Sequence, residues 1–134
     1  MNFEKMTEEQ ILQRLLEADA LPERTVVIPR LDIPVTLTGL TGKQVFSIRE
    51  RCTERKERRG HVTERLDEEQ FNVALIAAAT VKPDWGNQKL INKYNTSGPE
   101  EVIKRVLLAG ELSALSNAAL DLSGFNVSLE DVKN

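Results

Sequence analysis

The chain has 134 residues, of which 40% are hydrophobic, enough for one core, so we expect a single domain over residues 1–134. Its 18 basic and 21 acidic side chains leave a formal net charge of -3, which excludes a general attraction to nucleic acid or to an anionic membrane. We therefore expect a protein partner, with no nucleic acid and no membrane.

The cysteine content and the apolar runs bear on the compartment. Cys52 is the single cysteine, so an internal disulfide is excluded, and the first residues lack the apolar run of a secretory signal. The most apolar stretch, Val73 to Val81, is less than half of the roughly 20 residues that a membrane-spanning helix needs. These features favour a cytoplasmic protein.

The first predicted element is an N-terminal helix over residues 7–19. Thr7 and Gln10 have the spacing of a capping box, in which each side chain binds the other residue's backbone N–H. Four aliphatic residues then recur at helical spacing, and such a stripe predicts a helix that docks on the rest of the domain. They are Ile11, Leu12, Leu15 and Leu16.

A β-hairpin is predicted over residues 25–40. This segment is rich in β-branched residues, and apolar and polar side chains alternate from Val35 to Thr38. Pro29 and Pro34 each lack a backbone N–H, which suits strands at the edge of a sheet.

A helical region is predicted over residues 41–125. Its first helix starts at Thr41 or Gly42 and continues through charged residues to Arg59, so that its second half projects into solvent, and residues 60–65 form a loop. A core helix over residues 71–81, apolar on nearly every side, follows. The fold class predicted is mainly α with one small β-hairpin (α+β), in a compact helical domain.

The last part of this region is a helix from about residue 100 to Gly124, with Gly110 as a candidate kink or break. Gly124 and Phe125 resemble a left-handed C-terminal cap. The remaining residues, 126–134, are predicted to be a loose tail.

No constellation of residues points to catalysis. The sequence has no phosphate-binding glycine loop and no pair of cysteines or histidines at metal-ligand spacing, so we expect no enzyme, no cofactor and no metal site. Cys52 continues the apolar stripe of Val45 and Ile48, which favours a packing role over a nucleophilic one. His61 stands alone in a charged segment.

The most charged segment, residues 49–59, holds six basic and three acidic residues. Interleaved charges such as Glu54 and Arg58 favour a solvated helix face, or a polar arm that contacts another protein. Nucleic-acid binding is the weaker interpretation because it needs positive charge that is not neutralised.

The segment from Val102 to Phe125 has more apolar positions than one narrow stripe accounts for. One interpretation is a groove for a partner helix. The alternative is that these residues fill the domain's own core or a self-association surface. The candidate partner-binding residues are Val106, Leu107, Leu112, Leu115, Leu122 and Phe125.

Two segments carry a resemblance to a known family. The helix that ends in Leu122-Ser123-Gly124-Phe125 resembles the C-terminal signature of the XkdN-like phage tail assembly chaperones, encoded by PBSX-type phages or defective prophages. The segment from Ile28 to Leu40 is similar to the hairpin of that family, and Thr41 to Gln44 to the turn that follows. The resemblance extends over residues 7–125.

This resemblance implies a chaperone that binds the tape measure protein, a long and partly apolar helical chain. It would keep that partner soluble in the bacterial host cytoplasm during tail assembly and would be absent from the mature particle. Two alternatives stay open: a helix-turn-helix-like DNA-binding phage regulator, and a minor structural component of the tail.

Overall fold

The computed structural model describes residues 2–132. Within them the chain forms six α-helices and five β-strands, besides a short 3-10 turn at Phe3–Lys5. The helices are α1 (Glu8–Glu17), α2 (Gly42–Arg51), α3 (Glu68–Ala79), α4 (Gln88–Tyr94), α5 (Pro99–Val106) and α6 (Ala109–Leu122). The strands are β1 (Glu23–Ile28), β2 (Ile33–Thr38), β3 (Thr53–Arg58), β4 (His61–Leu66) and β5 (Thr80–Lys82).

The first sheet has three antiparallel strands in the order β1-β2-β5. Strands β1 and β2 form a hairpin in which Glu23 pairs with Thr38 and Ile28 with Ile33, which confirms the hairpin predicted over residues 25–40. The central strand is β2, and Pro34 lies before the part of it that pairs with β5. Strand β1 is therefore an edge strand, with one side free of β partners.

A second sheet corrects the predicted fold class. Strands β3 and β4 form an antiparallel hairpin where the sequence predicted a helix to Arg59 and a loop over residues 60–65. Thr80–Lys82 adds a fifth strand where the core helix was expected to continue to Val81. The fold is α+β with two sheets, so the prediction of a mainly α domain with one small hairpin is wrong.

The physical reason lies in the turn and in the missing apolar residues. Helix α2 ends at Arg51 because the apolar stripe that docks it stops at Cys52, and a helix of charged residues beyond it would bury nothing. Arg59 and Gly60 both have positive φ, 51° and 80°, which is the two-residue turn whose twist suits a hairpin. The charges then pair across strands, as Arg55 does with Glu64, instead of along a helix.

The core is built around α3, which packs against α2, α5, α6 and β2. Its residues Val73, Leu75 and Ile76 are fully buried, which confirms the prediction of a core helix in this segment. Asp67 caps its start by accepting a hydrogen bond from the Gln70 N–H at 3.1 Å. Neighbouring elements complete the core with Val35, Leu37, Val102 and Ile103.

Candidate partner-binding surface

The structure places the residues predicted to bind a partner mostly inside the domain. Leu107 and Leu115 are buried in the core, and Phe125 is 61% exposed. The other three, Val106, Leu112 and Leu122, are half-buried and pack against the core. This burial favours the alternative that the apolar surplus between residues 102 and 125 fills the domain's own core.

The chain achieves this burial by breaking the last helical segment into two. Helix α5 ends at Val106, Leu107 is extended, and α6 begins at Ala109, so the break precedes the predicted one at Gly110. The Glu111 carboxylate accepts a hydrogen bond from the Leu108 N–H at 2.8 Å and so satisfies one free donor at the start of α6. Two short helices turn apolar residues inward that one straight helix would expose.

Helix α1 presents the most extensive helical apolar surface. Its predicted capping box is present, with Thr7 and Gln10 bonded in both directions at 2.9 and 3.2 Å. The helix has no buried residue, so the docking expected from its stripe is absent from the structure. The four stripe residues remain exposed, Ile11 by 42%, Leu12 by 49%, Leu15 by 68% and Leu16 by 70%.

A groove lies between edge strand β1 and helix α6. Its volume is about 290 Å³, and aliphatic side chains from the two elements form most of its walls. Val27, on β1, is 63% exposed. On α6 the short side chains of Ala114 and Ala118 line the groove and leave room above the helix backbone. The apolar lining residues are Val26, Val27, Ile28, Pro29, Ala114, Leu115 and Ala118.

Charged contacts hold one end of this groove. The Arg30 guanidinium, in the turn between β1 and β2, donates to the Glu111 carboxylate at 2.8 and 3.0 Å and to the Val106 carbonyl at 2.7 Å. The Arg30 hydrogen bonds, followed by that from the Leu108 N–H, lower the pKa of Glu111, and the same carboxylate raises the pKa of Arg30. The contacts tie the hairpin turn to the junction of α5 and α6.

At the other end of the groove, the segment that carries α1 and the segment that follows α6 leave the domain at the same corner. The Pro22 carbonyl accepts a hydrogen bond from the Gly39 N–H at 2.8 Å, and the Ser123 hydroxyl accepts one from the Leu40 N–H at 2.9 Å. Helix α1 therefore departs beside the end of α6. The segment that follows α6 is exposed and carries the apolar residues Phe125, Val127, Leu129 and Val132.

This C-terminal segment was predicted as part of a loose tail over residues 126–134, of which 133 and 134 lie outside the described residues. It has no helix or strand from residue 127 to 132. Sequence reasoning missed its apolar content, although the alternation of Phe125, Val127 and Leu129 was visible as a signal. Sequence reasoning also missed the groove, because its walls come from β1 and α6, which are distant in the sequence.

The hairpin of β3 and β4 forms a charged arm. All residues from Glu54 to Arg65 are exposed, so the segment projects into solvent as predicted, although as a hairpin. Arg55 contacts both Glu64, at 3.0 Å, and Glu50. Among residues 2–132 no ion pair involves Lys56, Arg58 or Arg59, which leaves the tip of the arm basic.

The structure also places Cys52 and His61, the two residues considered for reactivity or metal binding. Cys52 is buried, and desolvation raises the pKa of its thiol, so the reactive thiolate form is disfavoured. His61 is exposed at the start of β4. Within residues 2–132 no three His, Cys, Asp or Glu side chains come together as metal ligands, and no helix is long and apolar enough to cross a membrane.

The α+β fold carries an unpacked amphipathic helix and an apolar groove, two features that occur at protein-binding surfaces. Comparison with known families assigns the particular class: residues 12–134 match the model of the phage XkdN-like tail assembly chaperones. The chain belongs to this family, as the resemblance in the sequence indicated.

Relatives from one bacterium support the assignment. The chain is 33% identical over 104 residues to the phage-like element PBSX protein XkdN of Bacillus subtilis (strain 168), covering 75% of this chain and 70% of the relative. It is 32% identical over 104 residues to the uncharacterized protein YqbN of the same strain, covering 75% and 69%. A crystal structure of yqbN matches with a TM-score of 0.60 at 24% identity, over 80% of this chain and 90% of that one, which supports the fold alone.

Proposed function

We propose that this tail assembly chaperone binds the tape measure protein and keeps it soluble in the bacterial host cytoplasm until the tail tube polymerises around it. The chaperone then leaves, so that the mature particle lacks it, and it acts by binding alone, with no catalysis and no cofactor. The observation that carries the proposal is the exposed aliphatic stripe of α1, together with the apolar groove between β1 and α6.

The chemistry of the surface suits a long helical partner. Amphipathic helices bind partners through apolar residues at helical spacing, and the stripe from Ile11 to Leu16 offers such residues on one face. The groove and Phe125 add apolar area at the corner where α1 leaves the domain. Large apolar side chains that are exposed together on one helix face mark an interaction site.

Binding that is reversible would follow from many weak contacts between chaperone copies and one partner. A single stripe and groove offer few anchor residues, so we expect modest affinity for each chaperone copy. Several copies along one long partner would cover its apolar segments, and each copy would be displaced in turn as the tube grows. Acidic and basic side chains on the rest of the surface would keep the complex dispersed in water.

The test is co-expression with the tape measure protein of the same phage or prophage. We expect that protein to be recovered soluble and in complex with the chaperone. The double substitution Leu15→Asp and Leu16→Asp places two charges in the stripe without burying them, because both residues are exposed, and should return the partner to the pellet. Phe46→Asp is the matched control, since Phe46 is 72% exposed on α2, away from the stripe.

Recovery of the same soluble complex with the stripe variant would contradict the role of α1. Absence of any complex with the unmodified chain would contradict the proposal itself. Two other assays address the alternatives: retention on DNA at low salt for a regulator, and presence in purified particles for a structural tail component. The basic run of residues 49–59 spans the end of α2, strand β3 and the turn after it, so most of it lies in a hairpin and not on a recognition helix.

A further inference from the structure

Two unpartnered apolar features of this chain match each other in length. Helix α1 has ten residues, and at 1.5 Å per residue it is about 15 Å long. The side of α6 that forms the groove runs from Glu111 to Asp121, which is also about 15 Å. The groove is therefore as long as the helix whose stripe lies uncovered.

The two surfaces also match in shape and charge. Ala114 and Ala118 are four residues apart on α6 and face the groove, and side chains this small allow another helix to approach closely. Arg24 at the corner of the groove makes no ion pair with any residue in the part of the chain that the structure describes. Glu17 at the end of α1 supplies a charge of the opposite sign.

We propose that α1 of one copy occupies the groove between β1 and α6 of a second copy, and the reverse, in a closed dimer that exists before the partner is bound. The proposal rests on the proposed function in one respect: the same stripe and groove would take the tape measure protein, so partner binding opens the dimer. Self-association thereby protects both apolar surfaces while the partner is being made.

The position of α1 in the structure favours exchange between two copies. Residues 18–22, which span at most about 17 Å, join α1 to Pro22, whose carbonyl accepts a hydrogen bond from the Gly39 N–H. In the structure α1 lies outside its own groove, with all residues from 7 to 22 exposed. Reciprocal exchange buries each stripe and each groove once and leaves no unsatisfied site for a third copy, which is the condition for a closed dimer.

The first experiment measures the mass of the full chain by light scattering across micromolar concentrations. We expect a species of twice the 15.1 kDa of one chain. The stripe variant L15D/L16D and the groove variant Val27→Asp should both be monomers with unchanged circular dichroism, because all three residues are exposed. Phe46→Asp, which removes a similarly exposed apolar side chain elsewhere, should remain a dimer.

Three outcomes of this experiment would overturn the proposal. The unmodified chain could be a monomer at every concentration. The Val27→Asp variant could stay a dimer, which would mean that α1 pairs with α1. The Phe46→Asp variant could lose the dimer, which would place the interface on α2. If any of these occurs while the unmodified chain still solubilises the tape measure protein, the exchange fails and the proposed function stands.

The second experiment separates exchange from folding back within one chain. A variant with Leu15→Cys and Ala114→Cys, both at exposed positions, is treated with a short bismaleimide, and Cys52 stays unreacted because it is buried. Cross-linking should yield covalent dimers of the full chain. Covalent monomers with the two sites joined would overturn the exchange, and so would an absence of product above that of a Leu15→Cys and Phe46→Cys control.

Discussion

At the scale of single residues, Gly39 and Arg30 fix how the hairpin meets the helices. A Cβ built on Gly39 would lie 2.5 Å from the Leu122 carbonyl oxygen, so only glycine allows the end of β2 to approach the end of α6. Arg30 performs the equivalent task at the opposite end of the groove. Both positions lie within the hairpin predicted over residues 25–40, and the sequence pattern did not single them out.

The first prediction concerns Gly39. Gly39→Ala should lower the free energy of unfolding by about 1 to 3 kcal/mol, because backbone on both sides of the contact must move. The control is Gly42→Ala, where no atom lies within 4 Å of the added methyl group, at the first residue of α2. That variant should be unchanged or more stable by less than about 1 kcal/mol. Equal stability of the two variants in urea denaturation would contradict the steric argument.

The second prediction concerns the Arg30–Glu111 pair and pH. Arg30→Ala should lower the urea midpoint at pH 7, because the pKa of Glu111 is held below its ordinary value of 4.5 in the folded chain. A carboxylate with a lowered pKa stabilises the folded state above its ordinary pKa and loses that contribution as the pH falls through the lowered one. The difference between the variant and the unmodified chain should therefore shrink below about pH 4.5. A difference that grows in acid would contradict the assignment.

At the scale of elements, the β3–β4 hairpin is an addition to the domain and not part of its core. No residue from 54 to 65 is buried, and the two ends of the arm meet where the Asp67 N–H donates to the Cys52 carbonyl at 2.9 Å. The residues on either side of the arm are therefore held together by a hydrogen bond that does not involve the arm. An exposed arm with a basic tip is suited to contact with another protein.

The third prediction concerns this hairpin. Replacing residues 54–65 by an Asn-Gly turn should change the free energy of unfolding by less than about 1 kcal/mol, since an isolated two-stranded hairpin is marginally stable and this one buries nothing. Thermal denaturation measures that effect, and co-expression with the tape measure protein measures any loss of complex. A large loss of stability would mean that the arm packs on the domain.

At the scale of the whole molecule, a folded unit over residues 22–124 carries two uncovered ends. Helix α1 and the segment after Gly124 have no buried residue among those described, and both leave from the corner formed by Pro22, Gly39 and Ser123. Folding therefore depends on residues 22–124, while α1 and the segment after Gly124 carry apolar surface that the fold does not use. Helix α1 can thus be removed without loss of the fold.

The fourth prediction follows from that separation. Deletion of residues 1–20 should leave the free energy of unfolding within about 0.5 kcal/mol of that of the L15D/L16D variant, because α1 contributes no buried side chain to its own domain. The shortened chain should no longer keep the tape measure protein soluble in co-expression. Loss of cooperative unfolding on deletion would show that α1 packs on the domain in solution.

The sequence by itself determined the features that depend on neighbouring residues. The capping box at Thr7, the β1–β2 hairpin and the fully apolar helix α3 were predictable because each depends on hydrogen bonds or periodicity within about ten residues. The family was recognisable from the segment that ends in Phe125. The prediction of a helix to Arg59 was wrong because charged residues such as Glu54 and Arg58 suit a helix face as well as a strand. Only the turn at Arg59 and Gly60 distinguishes a hairpin from a helix in this segment.

Tertiary structure alone decided which apolar residues are free. Leu115 and Leu15 both lie on helical stripes, yet one is buried and the other exposed, because burial depends on which elements reach the stripe. The turn of the chain between α5 and α6 and the pairing of β1 with β2 bring Leu115 into the core and open a groove beside it. No other element of the described chain covers α1, so the local pattern located the stripe and only the tertiary structure showed that it is exposed.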